Sequence, residues 1–202
     1  LSHSGERVGG NDFDIALALK GIMPSFGLDS NLKTGKPMPS NSFWQAVAIN
    51  NISEQTEFYS ATNGRYLEQL IRDAEQPELI RRLLTVQQQK LSYKVVNAAE
   101  QTKIALTNDI KHDISLEDIA DKLSITLSRD NFSTACQREL TSIANLMRDA
   151  IEQANTQPDV VFVTGGTAKS PIINEFLQQQ FKQTPIVIGD HFGSVTAGLT
   201  RW

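Results

Sequence analysis

Cysteine is almost missing from this 202-residue chain: Cys136 stands alone, so an internal disulfide is excluded, and its sequence neighbours give no metal-ligand spacing. A reducing compartment follows, and a cytoplasmic location is expected. Histidine is nearly as scarce. His3, His112 and His191 are far apart, and none shares a metal-binding spacing with Asp, Glu or Cys, so no metal site made by this chain is expected. Positive charge is not in excess either: a net charge of -4 leaves no basic footprint, and no nucleic-acid partner is expected. No apolar run reaches the ~18 residues that span a bilayer, and Leu1 to Gly5 form neither a basic nor an apolar leader region, so no membrane partner is expected. A Ser, His and Asp set at a recognisable elbow is also missing, which leaves a hydrolase triad unsupported and no catalytic residue assigned. The chain begins on Leu, with motif-like residues within its first ten positions, and is expected to be an excised fragment.

What is present is a globular composition: 40% hydrophobic, 21% charged and 7% aromatic residues exclude a disordered or collagen-like chain and suffice for a core. At ~100–200 residues per domain, this is one large domain or two packed lobes. Phe13, Ala16, Leu17 and Lys20 recur at helical steps after Gly9-Gly10, with Asn11 or Asp12 as the cap. Residues 21–64 hold Pro24, Pro37, Pro39 and Gly35 among Asn and Ser, with aromatic pairs at Phe43-Trp44 and Phe58-Tyr59, and predict irregular structure around short helices. From Pro77, the series Ile80, Leu84, Leu91, Val95, Ala98, Thr102 and Leu106 predicts one long helix with Gln87 to Gln89 exposed. Alternation through Ile110, His112 and Ile114, and again through Leu123, Ile125 and Leu127, predicts two short strands, paired antiparallel. Helical phase returns at Asp130 and runs through Phe132, Cys136, Leu140, Ile143 and Met147 to Ala154, which makes Cys136 a core residue. Val160 to Val163 reads as a strand covered on both faces. It is followed by Thr164-Gly165-Gly166-Thr167, a helix capped by Ser170 with Pro171 in its first turn, a strand at Ile186 to Ile188, and a small-residue helix at Ser194 to Gly198.

Two constellations could carry chemistry. Backbone N–H groups at a Gly-Gly turn between strand and helix can converge on an anion, and Thr164 to Lys169 has that form, with Thr167 adding a hydroxyl and Lys169 a cation. The same glycines would equally serve a tight turn. Glu100, Lys103 and Thr107 stand three and four residues apart and project from one helix face; they form either a polar shelf for a ribose and base or a solvated ion pair worth ~0.2–0.5 kcal/mol. Gly9-Gly10 ahead of Asn11 and Asp12 is a third backbone approach point, or only a helix start.

Three stretches together carry a family resemblance. Gly5 to Asp14 resembles G-D-x-x-L-G-G-x-D-F-D, Asn97 to Thr107 is similar to A-x-E-x-A-K-x-x-L-S, and Val160 to Pro171 to V-x-L-V-G-G-x-T-R-x-P. In this order they resemble the second half of the actin-like ATPase domain of the DnaK-type heat-shock chaperones, over most of the chain apart from residues 21–70. The resemblance implies an α/β fold: the second lobe of an actin-like ATPase (ribonuclease H-like) with a partly parallel sheet, plus a helical upper subdomain. The implied domains are 1–128, upper and carrying an insertion at about 21–70, and 129–202, lower and carrying the Gly-Gly loop. It implies ATP or ADP as ligand, with Glu100, Lys103 and Thr107 at the ribose and adenine, Gly165, Gly166 and Thr167 where the loop meets the nucleotide, Lys169 stacked on the base, and Gly9 and Gly10 near the phosphates.

Departures are those of a divergent member. Ile104 stands where the family is usually basic, Lys169 replaces an Arg and so lacks the flat guanidinium that stacks best, and Phe192 takes an acidic position. The interval from Gly10 to Glu100 is longer than the family's, which places the insertion in the upper subdomain where exchange factors act. By the family pattern the first phosphate loop, the catalytic lysine and the D-x-G-G-G-T loop precede this chain, and Mg2+ is not ligated by it. The expectation is half of an ATP/ADP cleft, inactive alone, in a parent that hydrolyses ATP. The implied partners are the first lobe of its own full-length chain, adenine nucleotide, and unfolded clients or co-chaperones. The alternatives are an actin-like small-molecule kinase or filament protein, and a nucleotide-free helical interaction module.

Overall fold

Ten residues from the start of the chain, α1 (Gly10–Leu17) opens with a back-bond: the Gly9 N–H donates to Asp12 Oδ2 at 2.7 Å. That is the return half of a capping box, so the helix begins ahead of the Asn11 and Asp12 caps expected for it. The computed structural model describes Gly5 and residues 8–189, in two compact units: Phe13–Ala135, and Leu1–Asp12 with Cys136–Trp202. The helix expected at 194–198 lies outside the described residues, as do His3, Glu6, Arg7, His191 and Phe192.

In the larger unit every residue from Phe13 to Leu17 is buried, and the chain tightens through a π-helical turn, Ala18–Ile22, and a 3-10 turn, Met23–Phe26. Gly27 ends that turn at φ 104°, where a Cβ would lie 2.4 Å from Ile80 Cδ1, so only glycine fits. The Pro- and Asn-rich segment then builds α2 (Asn41–Val47), α3 (Ile52–Phe58) and α4 (Ala61–Asp73). Asn51 and Ser60 cap α3 and α4 with their side chains. Phe43 and Phe58 are fully buried and anchor the segment within its own unit, whereas Trp44 is exposed. Ser42 Oγ donates to Asn63 Oδ1 and Asn63 Nδ2 to the Phe58 carbonyl, both at 2.8 Å, which fixes the three helices to one another. Tyr59 packs edge-on against Phe58, and its hydroxyl accepts the Ser92 N–H at 3.2 Å.

The single long helix expected after Pro77 is two: α5 (Pro77–Gln89) and α6 (Ser92–Ala105), parted at Lys90, which takes φ 56°. Apolar spacing continues across the break, and no Gly or Pro marks it. Gln87 is buried rather than exposed, because its Nε2 donates to the Ser60 carbonyl at 3.2 Å. β1 (Lys111–Ser115) and β2 (Ser124–Ser128) pair antiparallel as expected, with Ile114 opposite Ile125. Next comes α7 (Arg129–Ala135). Phe132 meets Phe13 with ring centroids 6.3 Å apart, and residues 129–135 belong to the larger unit, which runs through Ala135.

In the smaller unit the helix expected through Ala154 restarts after Cys136 as α8 (Gln137–Ala154), and Cys136 itself is fully buried in line with Leu140 and Ala144. β3 (Val161–Val163) pairs parallel with β4 (Ile186–Ile188), linked by a 3-10 turn, Gly166–Lys169, and α9 (Pro171–Gln180). Ser170 holds the N-cap position without a side-chain cap bond, and Ile172, Ile173 and Leu177 form the buried stripe of α9. The Val160 to Val163 run is not covered on both faces: Val160 is 48% and Phe162 57% exposed. β3 has one hydrogen-bonded neighbour among the described residues, and a two-stranded sheet is too narrow to bury both of its faces. No helix among the described residues is long and apolar enough to cross a membrane.

Candidate functional site

α6 carries two of the three residues expected to form a polar shelf. Glu100 is half-buried on it, and Lys103 follows three residues later. The Lys103 ammonium lies 2.7 Å from Asp14 Oδ1 and 2.8 Å from Oδ2, so both carboxylate oxygens of α1 engage it. The Lys103 side chain is 15% exposed and that of Asp14 only 4%, which makes this a buried ion pair and not the solvated one that the spacing also allowed. Thr107 is not on the helix. α6 ends at Ala105, and Thr107 sits in the turn beyond it. Ile104 is exposed between Glu100 and that turn.

Arg129 fixes the turn. Its Nε donates to the Leu106 carbonyl at 2.8 Å and its Nη2 to the Thr107 carbonyl at 3.0 Å, satisfying acceptors that the end of α6 leaves open. Replacing Arg129 by alanine is expected to lower stability by about 1–2 kcal/mol in urea unfolding, the range for charge-assisted bonds that are partly exposed. Lysine at that position should recover less than half of the loss, because an ammonium cannot hold two carbonyls in a fixed fork. A change of under ~0.3 kcal/mol for alanine would show that water replaces the guanidinium without cost.

The second constellation is in the smaller unit. Gly165 adopts φ 98° and ψ 166°, a region that essentially only glycine enters, and so turns the chain from β3 into the 3-10 turn. Gly166 and Thr167 open that turn, where the first N–H groups have no acceptor within the helix. The Ala168 N–H donates to the Gly165 carbonyl and the Ser170 N–H to the Thr167 carbonyl, both at 3.1 Å. Lys169 is exposed, while Ala168 and Ser170 on either side of it are buried. The loop therefore directs a cation and a hydroxyl-bearing turn to the surface from a fixed base. Gly9 and Gly10 belong to this unit as well, at the start of α1.

A family model described as Hsp70 protein matches residues 65–198, well over half of the chain. The chain belongs to the Hsp70 family. The match takes in both Glu100 on α6 and the Gly165 loop, whereas Gly9, Gly10 and most of residues 21–70 precede it. Chaperone activity and ATP binding are properties of this family, and the mixed α/β fold with its small sheets agrees with it. Among the described residues of this Hsp70 chain, no three His, Cys, Asp or Glu side chains gather as a metal cradle.

Sequence reasoning missed Asp14 and Arg129. Asp14 was legible in principle: a carboxylate inside a run whose every neighbour is apolar requires a buried partner. Arg129 left no such signal, since it reaches carbonyls more than twenty positions away.

Proposed function

We propose that this chain is part of a DnaK-like molecular chaperone and contributes the adenosine side of an ATP/ADP-binding cleft. The observation that carries the reading is that one family match spans both α6, with Glu100 and Lys103, and the glycine loop at 165–169. In this reading Glu100 accepts from ribose hydroxyls, Gly165 to Thr167 offer backbone and hydroxyl donors, and Lys169 lays its stem along the base. Lys103 acts through its pairing with Asp14, holding the face of α6 on which Glu100 stands. Gly9 and Gly10 serve the phosphates. Hydrolysis belongs to the intact protein with its first lobe, as do Mg2+, clients and co-chaperones, and the compartment is the cytoplasm.

Calorimetry with ADP on the intact protein tests this. Glu100→Gln removes the carboxylate from a half-buried position on α6 and should weaken ADP by about tenfold, the value of one charge-assisted hydrogen bond, with little change in the unfolding midpoint. Unaltered affinity in Glu100→Gln would remove α6 from the site. Magnesium-dependent turnover by the purified 202-residue chain would contradict the assignment of hydrolysis to the intact protein.

A further inference from the structure

The 3-10 turn at Gly166–Lys169 has a defect written into its sequence. In a turn of this kind the carbonyl of residue i accepts from the N–H of residue i+3. For Ala168 that donor would be residue 171, which is Pro171 and has no N–H. The Ala168 residue is 2% exposed, so water is a poor substitute. Asn174, in the first turn of α9, takes the place of the missing donor: its Nδ2 donates to the Ala168 carbonyl at 2.9 Å, while its own N–H donates to the Ser170 carbonyl at 3.1 Å. The Asn174 Oδ1 is buried without a hydrogen-bond partner, so donation alone orients the amide.

We infer that Asn174 is a positioning residue that holds the Gly165–Lys169 loop in the form that receives its ligand. The inference deepens the nucleotide reading above and rests on it for the identity of that ligand. Asn174 touches the loop through the Ala168 carbonyl. With the Ala168 carbonyl pinned, the peptides on either side of it cannot rotate, and Thr167 and Lys169 are presented from a fixed frame. Losing the bond leaves a buried carbonyl without a donor, which the loop can satisfy only by turning that peptide outward.

The test uses the full-length protein and three variants. Asn174→Ala removes the donor, Asn174→Asp replaces it with an acceptor at similar volume, and Asn174→Gln keeps an amide on a longer stem. Without nucleotide, hydrogen exchange at the Ala168 and Ser170 amides should quicken about tenfold in the Ala and Asp variants, the opening expected when a net bond of this kind is lost. ADP affinity should fall by a similar factor, about tenfold, in those two variants and stay within about twofold of the parent in Asn174→Gln. Unchanged exchange at both amides in Asn174→Ala overturns the inference whether or not ADP binds. Faster exchange with unchanged ADP affinity also overturns it, since the role would then be structural only. Failure of the parent protein itself to take up ADP would sink the nucleotide reading, and the exchange comparison would still decide the role of Asn174 in the loop.

Discussion

Replacing Lys103 with alanine is expected to remove about 3–5 kcal/mol of folding free energy, the cost of leaving one member of a buried ion pair without its partner. Asp14 is 3% exposed, so its carboxylate loses a charged neighbour at a position already largely stripped of water. A typical domain has ~5–15 kcal/mol in hand, which makes this single change a large fraction of the total. Urea unfolding measures it. The paired replacement Asp14→Leu with Lys103→Met should recover most of the loss, because a well-packed apolar pair avoids the desolvation that the ion pair only partly offsets. A loss below about 1 kcal/mol for the alanine variant would place the pair with exposed ion pairs. The consequence for function is practical. In the proposed reading Lys103 variants would mix lost stability with any lost binding, so Glu100 is the residue on α6 through which binding should be probed.

Gly165→Ala is the second large effect, and it falls on binding. At φ 98° and ψ 166° an alanine carries ~1–3 kcal/mol of backbone strain. A Cβ there would meet nothing within 4 Å, so the cost is conformational and not steric. The chain relieves it by rotating the peptides that flank residue 165, which moves the Gly166 and Thr167 N–H groups. ADP affinity should fall by about 10- to 100-fold, at 1.4 kcal/mol per factor of ten. At about 4–8 °C per kcal/mol in a small unit, that strain should lower the midpoint of thermal unfolding by about 4–24 °C, and the affinity is measured well below the transition. Gly166→Ala is the control, since Gly166 has no positive φ and equally open space. Equal losses in the two variants would mean that bulk near the loop matters and the Gly165 backbone does not.

Much of this was legible in the amino-acid order, and the failures share a cause. The antiparallel strands, the loop from β3 to α9 and the burial of Cys136 all follow from local period and composition, which report on residues a few positions apart. The break at Lys90 does not, because a residue in the left-handed region needs neither Gly nor Pro when the surrounding packing fixes it. Burial of Gln87 depends on the Ser60 carbonyl, supplied from a different helix. At the site, the spacing of Glu100 and Lys103 was readable, but the partner of Lys103 lies 89 positions off on α1. Thr107 seemed to share their face only because the helix was read as running past Ala105. The exposed face of β3 shows the reverse: an apolar run states what a strand requires, and says nothing of whether the neighbouring segments supply it.

The two ends of α6 are closed by residues that do not belong to it, Tyr59 at Ser92 and Arg129 at Leu106 and Thr107. A helix ordinarily loosens from its termini inward, because the first and last turns open without disturbing the rest. Here each terminus is tied to a separate part of the unit, to Tyr59 after α3 at one end and to α7 at the other. Unzipping of α6 must therefore begin elsewhere, in the loss of Tyr59 or Arg129 from its seat. The segment that carries Tyr59, remote in sequence from Glu100, thereby helps set how often the backbone beneath Glu100 comes apart.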